Sequence, residues 1–157
     1  MNASVCIEPT IVSYLTARPT RDALKAARQR ITRAWWAKQR PLFDCYVSKP
    51  VLEEIACGEA AMAAKRLAAV RHMPTLAVSD LATGIAVEIL RRGYLPPKAA
   101  TDALHVAVAA ASGMEFLLTW NCTHIANAQI EKMVMALCAA RGLAFPVICT
   151  PEQLMGV

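Results

Sequence analysis

The feature that narrows the fold most is a rhythm. Short runs rich in apolar, aromatic and β-branched residues occupy positions 5–7, 43–48, 76–78, 116–119 and 146–149, and each gives way to a stretch with helical spacing. The runs are too short to be helices. Short apolar strands that alternate with helices build a parallel sheet covered on both faces. The expected architecture is therefore a three-layer α/β/α sandwich around a central, mostly parallel sheet, in a single domain over residues 1–157.

The helix signals fall between those runs. Thr10 to Leu15 supply a first turn or two after Pro9. Residues 20–40 read as a long amphipathic helix with Thr20 as its cap, Asp22 in the first turn and Leu24, Ala27, Ile31 and Trp35 on the apolar side. Further helices are expected at 50–57, closed by Gly58, at 59–71, at 80–92 with Asp80 as cap, at 96–113 and at 129–141. Thr150-Pro151-Glu152 opens a terminal turn.

Composition removes several function classes. A hydrophobic fraction of 56% excludes disorder, and the few aromatics (6%) favour close-packed helices over a β-sandwich. With six glycines there is no GxGxxG and no GxxxxGK[ST], and no GxSxG is present. The six cysteines show no metal-ligand spacing and read as core filler in a reduced, cytoplasmic protein. No secretory signal is visible, and the longest mostly apolar uncharged run, 103–114, is too short to cross a bilayer. The net charge of +5 is uneven: residues 18–40 carry a local +7, leaving −2 on the remainder. A basic segment on a slightly acidic body points to a polyanionic partner.

In sheets of this kind ligands gather beyond the carboxyl ends of the strands. Three acids fall at or near such positions. Asp102 is the one formally charged residue between positions 99 and 114. A lone carboxylate on a buried helix is costly unless paired, hydrogen-bonded or metal-bound, although the helix dipole also favours a first-turn acid. Glu8 reads either as a strand-end or helix N-terminal charge, or as a carboxylate aimed at an ion. On a helical wheel Glu54 falls roughly 107° from the centre of the face set by Val51, Leu52 and Ile55, and Glu53 roughly 153° from it. Glu54 can thus lean into a cleft while Glu53 is solvated. Asn121 either caps the loop that follows or lends its amide oxygen to a hydrated cation. His105, three residues after Asp102 on the same helix side, reads as a structural hydrogen-bond former rather than a metal ligand, and His124 as a loop hydrogen-bonder rather than a phosphate contact. Together Glu8, Glu54 and Asp102 offer oxygen-only ligands, which suit Mg²⁺ or Mn²⁺ and not zinc. Such an ion relieves carboxylate repulsion, activates a water and neutralises charge building on a phosphodiester.

These residues resemble the PIN domain, and within it the VapC-like toxins of bacterial toxin–antitoxin pairs, over nearly the whole chain. Ile7-Glu8-Pro9-Thr10 is similar to the family's acid–x–Ser/Thr opening, and Val51-Leu52-Glu53-Glu54-Ile55 to its second acidic motif, with Glu54 as the acid. Thr101-Asp102-Ala103-Leu104-His105-Val106-Ala107 resembles the third motif, and Leu118-Thr119-Trp120-Asn121 the fourth. Glu8 stands where the first acid is usually Asp, and Asn121 where the fourth is often Asp. The resemblance implies Mg²⁺- or Mn²⁺-dependent endoribonuclease activity on RNA, a homodimer and inhibition by a cognate antitoxin protein. On that reading Glu8 and Asp102 ligate the ion, and Glu54 positions it or takes a proton from the attacking water. Asn121 and the Thr10 hydroxyl support the water shell. The stripe of Arg21, Lys25 and Arg28 is either a solvated face or a track for the RNA backbone. The alternative function is a catalytically weak PIN-like module that binds RNA or protein. A flavodoxin-like domain is the third class, but it needs a phosphate- or flavin-binding loop that the sequence lacks.

Overall fold

Residues 1–156 are described by a computed structural model. Five strands, β1 (Ser4–Ile7), β2 (Asp44–Ser48), β3 (Thr75–Leu76), β4 (Phe116–Leu118) and β5 (Val147–Cys149), form one sheet in the order β3-β2-β1-β4-β5. Every pairing is parallel, and Cys6 of β1 lies between Tyr46 of β2 and Leu117 of β4. The chain builds outward from β1 to β3, then returns to the other side of β1 with β4. The crevice beyond Ile7 and Leu118 is thus the topological switch point, where ligands bind in open parallel sheets.

Successive residues of the central strands face opposite layers. Val5, Ile7 and Leu118 pack under α1 (Pro9–Thr16), α2 (Ala23–Lys38), α3 (Lys49–Ile55) and α4 (Ala60–Val70). Cys6 and Leu117 pack under α5 (Asp80–Arg91), α6 (Ala100–Ala111) and α7 (Ala128–Ala139). This is the three-layer α/β/α sandwich that the sequence rhythm requires. Two strand-to-helix junctions have no loop at all. Glu8 caps α1 and Ser48 caps α3, and a proline in the first helical turn of each presets the helical backbone. The first of those caps is one of the acids singled out above.

Several boundaries differ from expectation. Helix α2 begins at Ala23 because Asp22, not Thr20, is the cap; it accepts from Lys25 N at 2.9 Å, while Thr20 Oγ1 accepts from Asp22 N at 3.2 Å. Ser79, not Asp80, caps α5 by accepting from Ala82 N at 3.1 Å. A 3-10 turn at Pro97–Ala99 precedes α6, and β3 starts one residue earlier than expected and is shorter. The largest departure is the buried side of α2. Leu24 is 61% exposed, while the buried positions are Gln29, Thr32 and Trp35. Each anchors a polar group: the Gln29 amide donates to Ala17 O, Trp35 Nε1 donates to Leu154 O at 3.0 Å, and Thr32 Oγ1 accepts from Trp120 Nε1 at 2.8 Å. Two of these contacts supply donors to carbonyls just beyond α1 and at the terminal turn, groups that local backbone pairing leaves open.

All six cysteines are free; Cys6, Cys138 and Cys149 are buried, but Cys57 and Cys122 are exposed, so only some of them fill the core. Burial, reinforced by the nearby Glu8 charge, pushes the Cys6 thiol up to about 12, which keeps it protonated and inert. Among the described residues no helix is long and apolar enough to cross a membrane.

Candidate functional site

The site is organised by Glu8. Strand β1 ends at Ile7, but Glu8 N still donates to Leu118 O at 3.1 Å, so the residue is held at the edge of the sheet. Its extended backbone turns the carboxylate over the first turn of α1. There Oε2 accepts from Thr10 N at 2.8 Å, from Thr119 Oγ1 at 2.9 Å and from the Thr10 hydroxyl. The two hydroxyls are themselves acceptors, Thr10 Oγ1 from Trp120 N at 2.8 Å and Thr119 Oγ1 from Asn121 N at 2.9 Å. Glu8 is only 2% exposed, and Oε1 takes part in none of these bonds.

Glu54 reaches the same place from α3. Its side chain is 43% exposed, and Oε1 lies 3.2 Å from His105 Nε2 on α6. His105 is 1% exposed, and its other ring nitrogen, Nδ1, is buried with no partner. One donor atom each from Glu8, Glu54 and His105 lie within 4.8 Å of one another. Glu53 is exposed as well but is not among the three.

Asp102 stands one turn before His105 on α6 but is outside that group of three. Its Oδ2 is 3.0 Å from His124 Nδ1, and the two side chains are 20% and 23% exposed. Asn121 Oδ1 accepts from His124 N at 3.0 Å, so Asn121 caps the loop that carries His124. The Thr10 hydroxyl proton is committed to Glu8, which makes Thr10 a positioning residue for that carboxylate. Arg21 lies before α2, exposed, and therefore shares no helical stripe with Lys25 and Arg28. The Arg28 guanidinium sits over the Trp120 ring, 5.2 Å from its centroid.

The structure therefore brings together Glu8 and Glu54, and it joins Asp102 and Asn121 in a neighbouring pair through His124. The unexpected member is His105. Its signal was the i+3 spacing from Asp102 on an otherwise uncharged helix, which puts both on one side but does not say what faces them across the fold.

Burial pushes the Glu8 carboxyl above its ordinary 4.5, opposed by the hydrogen bonds from Thr10 and Thr119 and by the charge of His105. A raised folded-state value means the neutral acid is the form the fold prefers. The stability this contributes is complete below 4.5 and is lost as pH rises through the folded value. In chelator, Glu8→Gln should therefore be no more stable than the parent near pH 4.5 and progressively more stable toward pH 8. Thermal unfolding of both proteins across that range checks the sign; a constant difference would contradict it.

No protein-family model and no curated protein matches the sequence. Solved structures do. VapBC2 from Rickettsia felis, bound to a DNA fragment from its promoter, matches at 11% identity and TM-score 0.53, over 94% of this chain and 98% of the other. Mycobacterium tuberculosis VapC20, a sarcin–ricin loop cleaving toxin, matches at 21% identity and TM-score 0.54, over 72% of this chain and 86% of the other. The chain has the VapC-like PIN-domain fold.

Proposed function

We propose that the chain is a divalent-cation-dependent endoribonuclease and the toxin of a toxin–antitoxin pair. The observation that carries this reading is the meeting of Glu8, Glu54 and His105 within 4.8 Å at the switch point of a parallel sheet. A VapC of the same fold that cleaves the sarcin–ricin loop supports it.

The residues fit a Mg²⁺ or Mn²⁺ ion. Two carboxylates in close approach need a counter-charge, and His105 brings a ring nitrogen within 4.8 Å of a donor atom on each of them. Glu8 and Glu54 are the donors best placed to hold the ion. Asp102, with Oδ2 taken by His124, has only its other carboxylate oxygen to offer as a further ligand. When bound, a divalent cation supplies water activation and stabilises charge on the phosphodiester.

The chain's own residues do the rest. Thr10 and Thr119 fix the Glu8 carboxylate before any substrate arrives, and this preorganisation avoids a reorganisation cost during reaction. Glu54, half exposed at the rim, takes the proton of the attacking water. Asp102 orients His124 through Nδ1, and His124 Nε2 delivers a proton to the leaving oxygen. Asn121 holds the His124 backbone in register. Arg21 and Lys25 contact RNA phosphates, so binding weakens as salt rises. A homodimer and a cognate antitoxin belong to the same reading, as does a place in the cytoplasm.

Cleavage of a structured RNA by the purified protein tests this, with Mn²⁺, Mg²⁺ or chelator. Cleavage is expected only with an ion, and Asp102→Asn should lower the rate on the order of 10²-fold. Equal cleavage by the variant would overturn the assignment. No cleavage with any ion would leave a PIN-like binding module as the better description.

A further inference from the structure

We propose that His105 is itself a ligand, and that the site is a two-carboxylate, one-imidazole centre selective for a first-row transition ion such as Mn²⁺ over Mg²⁺. The inference rests on the metal-dependent reading above and specifies which ion that site takes.

Three observations carry it. First, the His105 ring is buried to 1% exposure, and the polar contact it makes is to Glu54, a member of the cluster, at 3.2 Å. Adjacent ligands on one ion, bonded at about 2.1 Å, lie about 3 Å apart, so the Glu54 and His105 donors already have the separation of neighbours in a coordination shell. Second, Nδ1 has no partner, so the ring's one polar anchor among the described residues is the contact that Nε2 makes inside the cluster. Third, the donor set is mixed. Mg²⁺ is bound through oxygen and retains its waters, whereas imidazole suits transition ions, with affinity rising from Mn²⁺ along the first row. Glu8 and Glu54 provide the hard oxygens that keep Mn²⁺ competitive; His105 provides the nitrogen that disfavours Mg²⁺.

The test uses the whole chain, stripped with chelator and titrated with Mn²⁺ alone, followed by loss of the free-ion electron paramagnetic resonance signal. Bound Mn²⁺ should show coupling to a ¹⁴N nucleus in spin-echo spectra, and Mg²⁺ should displace it only at an excess of about tenfold or more. His105→Gln, which keeps comparable bulk and polarity toward Glu54, should abolish the ¹⁴N coupling and weaken Mn²⁺ about tenfold or more, while Mg²⁺ affinity stays within about twofold. Bound Mn²⁺ without ¹⁴N coupling, or Mg²⁺ competing on equal terms, would overturn the proposal and leave the metal-dependent reading standing. Coupling that persists in His105→Gln would also overturn it, because the nitrogen would then belong to His124. If neither ion binds the parent protein, the metal-dependent reading fails and this one falls with it. If His105→Gln does not fold, His124→Gln decides the source: coupling that survives in it belongs to His105, and coupling lost with it overturns the proposal.

Discussion

Glu8→Gln is expected to lower RNA cleavage on the order of 10³-fold, the largest effect of any single change in this chain. The substitution isolates charge. Glutamine retains a side-chain oxygen that can accept from Thr10 N and the Thr119 hydroxyl, so the cap on α1 and the stitch between β1 and β4 survive. What disappears is the negative charge that a cation needs. Fold and function should therefore separate: cleavage and ion binding fall while the apo protein at pH 8 melts no lower than the parent. Glu8→Asp is the companion. It restores the charge but shortens the side chain by one methylene, and the PIN-like opening motif usually has Asp at this position. If reach is what Glu8 provides, the aspartate variant should bind an ion about 10- to 100-fold more weakly, and cleave correspondingly less, than the parent. Parent-like activity in Glu8→Gln, measured on the same RNA with the same ion, would remove Glu8 from the chemistry.

For stability the most damaging change is expected at Trp35. Its side chain is fully buried on α2, stacks on Phe43 at 6.0 Å between centroids and donates from Nε1 to Leu154 O at 3.0 Å. Trp35→Ala removes the largest apolar body in that layer and should cost about 3–5 kcal/mol. For a domain of this size that lowers the melting temperature by about 10 °C. Trp35→Phe separates the two contributions, since it keeps the ring contact but leaves Leu154 O without its donor, and should cost about 1–2 kcal/mol. A melting temperature for Trp35→Ala within about 3 °C of the parent would show that α2 is held by other contacts.

What the sequence made legible follows from which forces are local. The strand runs at 5–7 and 116–119 are buried on both faces, so their apolar character alone identifies them and orders the layers. Cap choice was less secure where two candidates stand side by side. Ser79 and Asp80 can each cap α5, and only the observed bond from Ala82 N to Ser79 Oγ decides. On α2 Trp35 is buried as its spacing requires and Leu24 is not, because the open carbonyls at Ala17 and Leu154 reward donors such as the Gln29 amide and the Trp35 indole over a purely aliphatic stripe. At the site, the helical wheel located Glu54 on the border of its helix, and its half-exposed side chain agrees with that position. No periodicity reports distances across the sheet edge. That His105 meets Glu54, and that Asp102 meets His124, are facts of tertiary packing between α3, α6 and the loop after β4.

The first strand made is the middle strand of the sheet, yet both of its neighbours are synthesised later, β2 from residue 44 and β4 from residue 116. Until α6 and β4 have docked on β1, Glu8 has neither His105 to face it nor Thr119 to fix it. The arrangement around Glu8 thus depends on a contact across 111 positions of sequence, and it forms only with the long-range closure of the sheet.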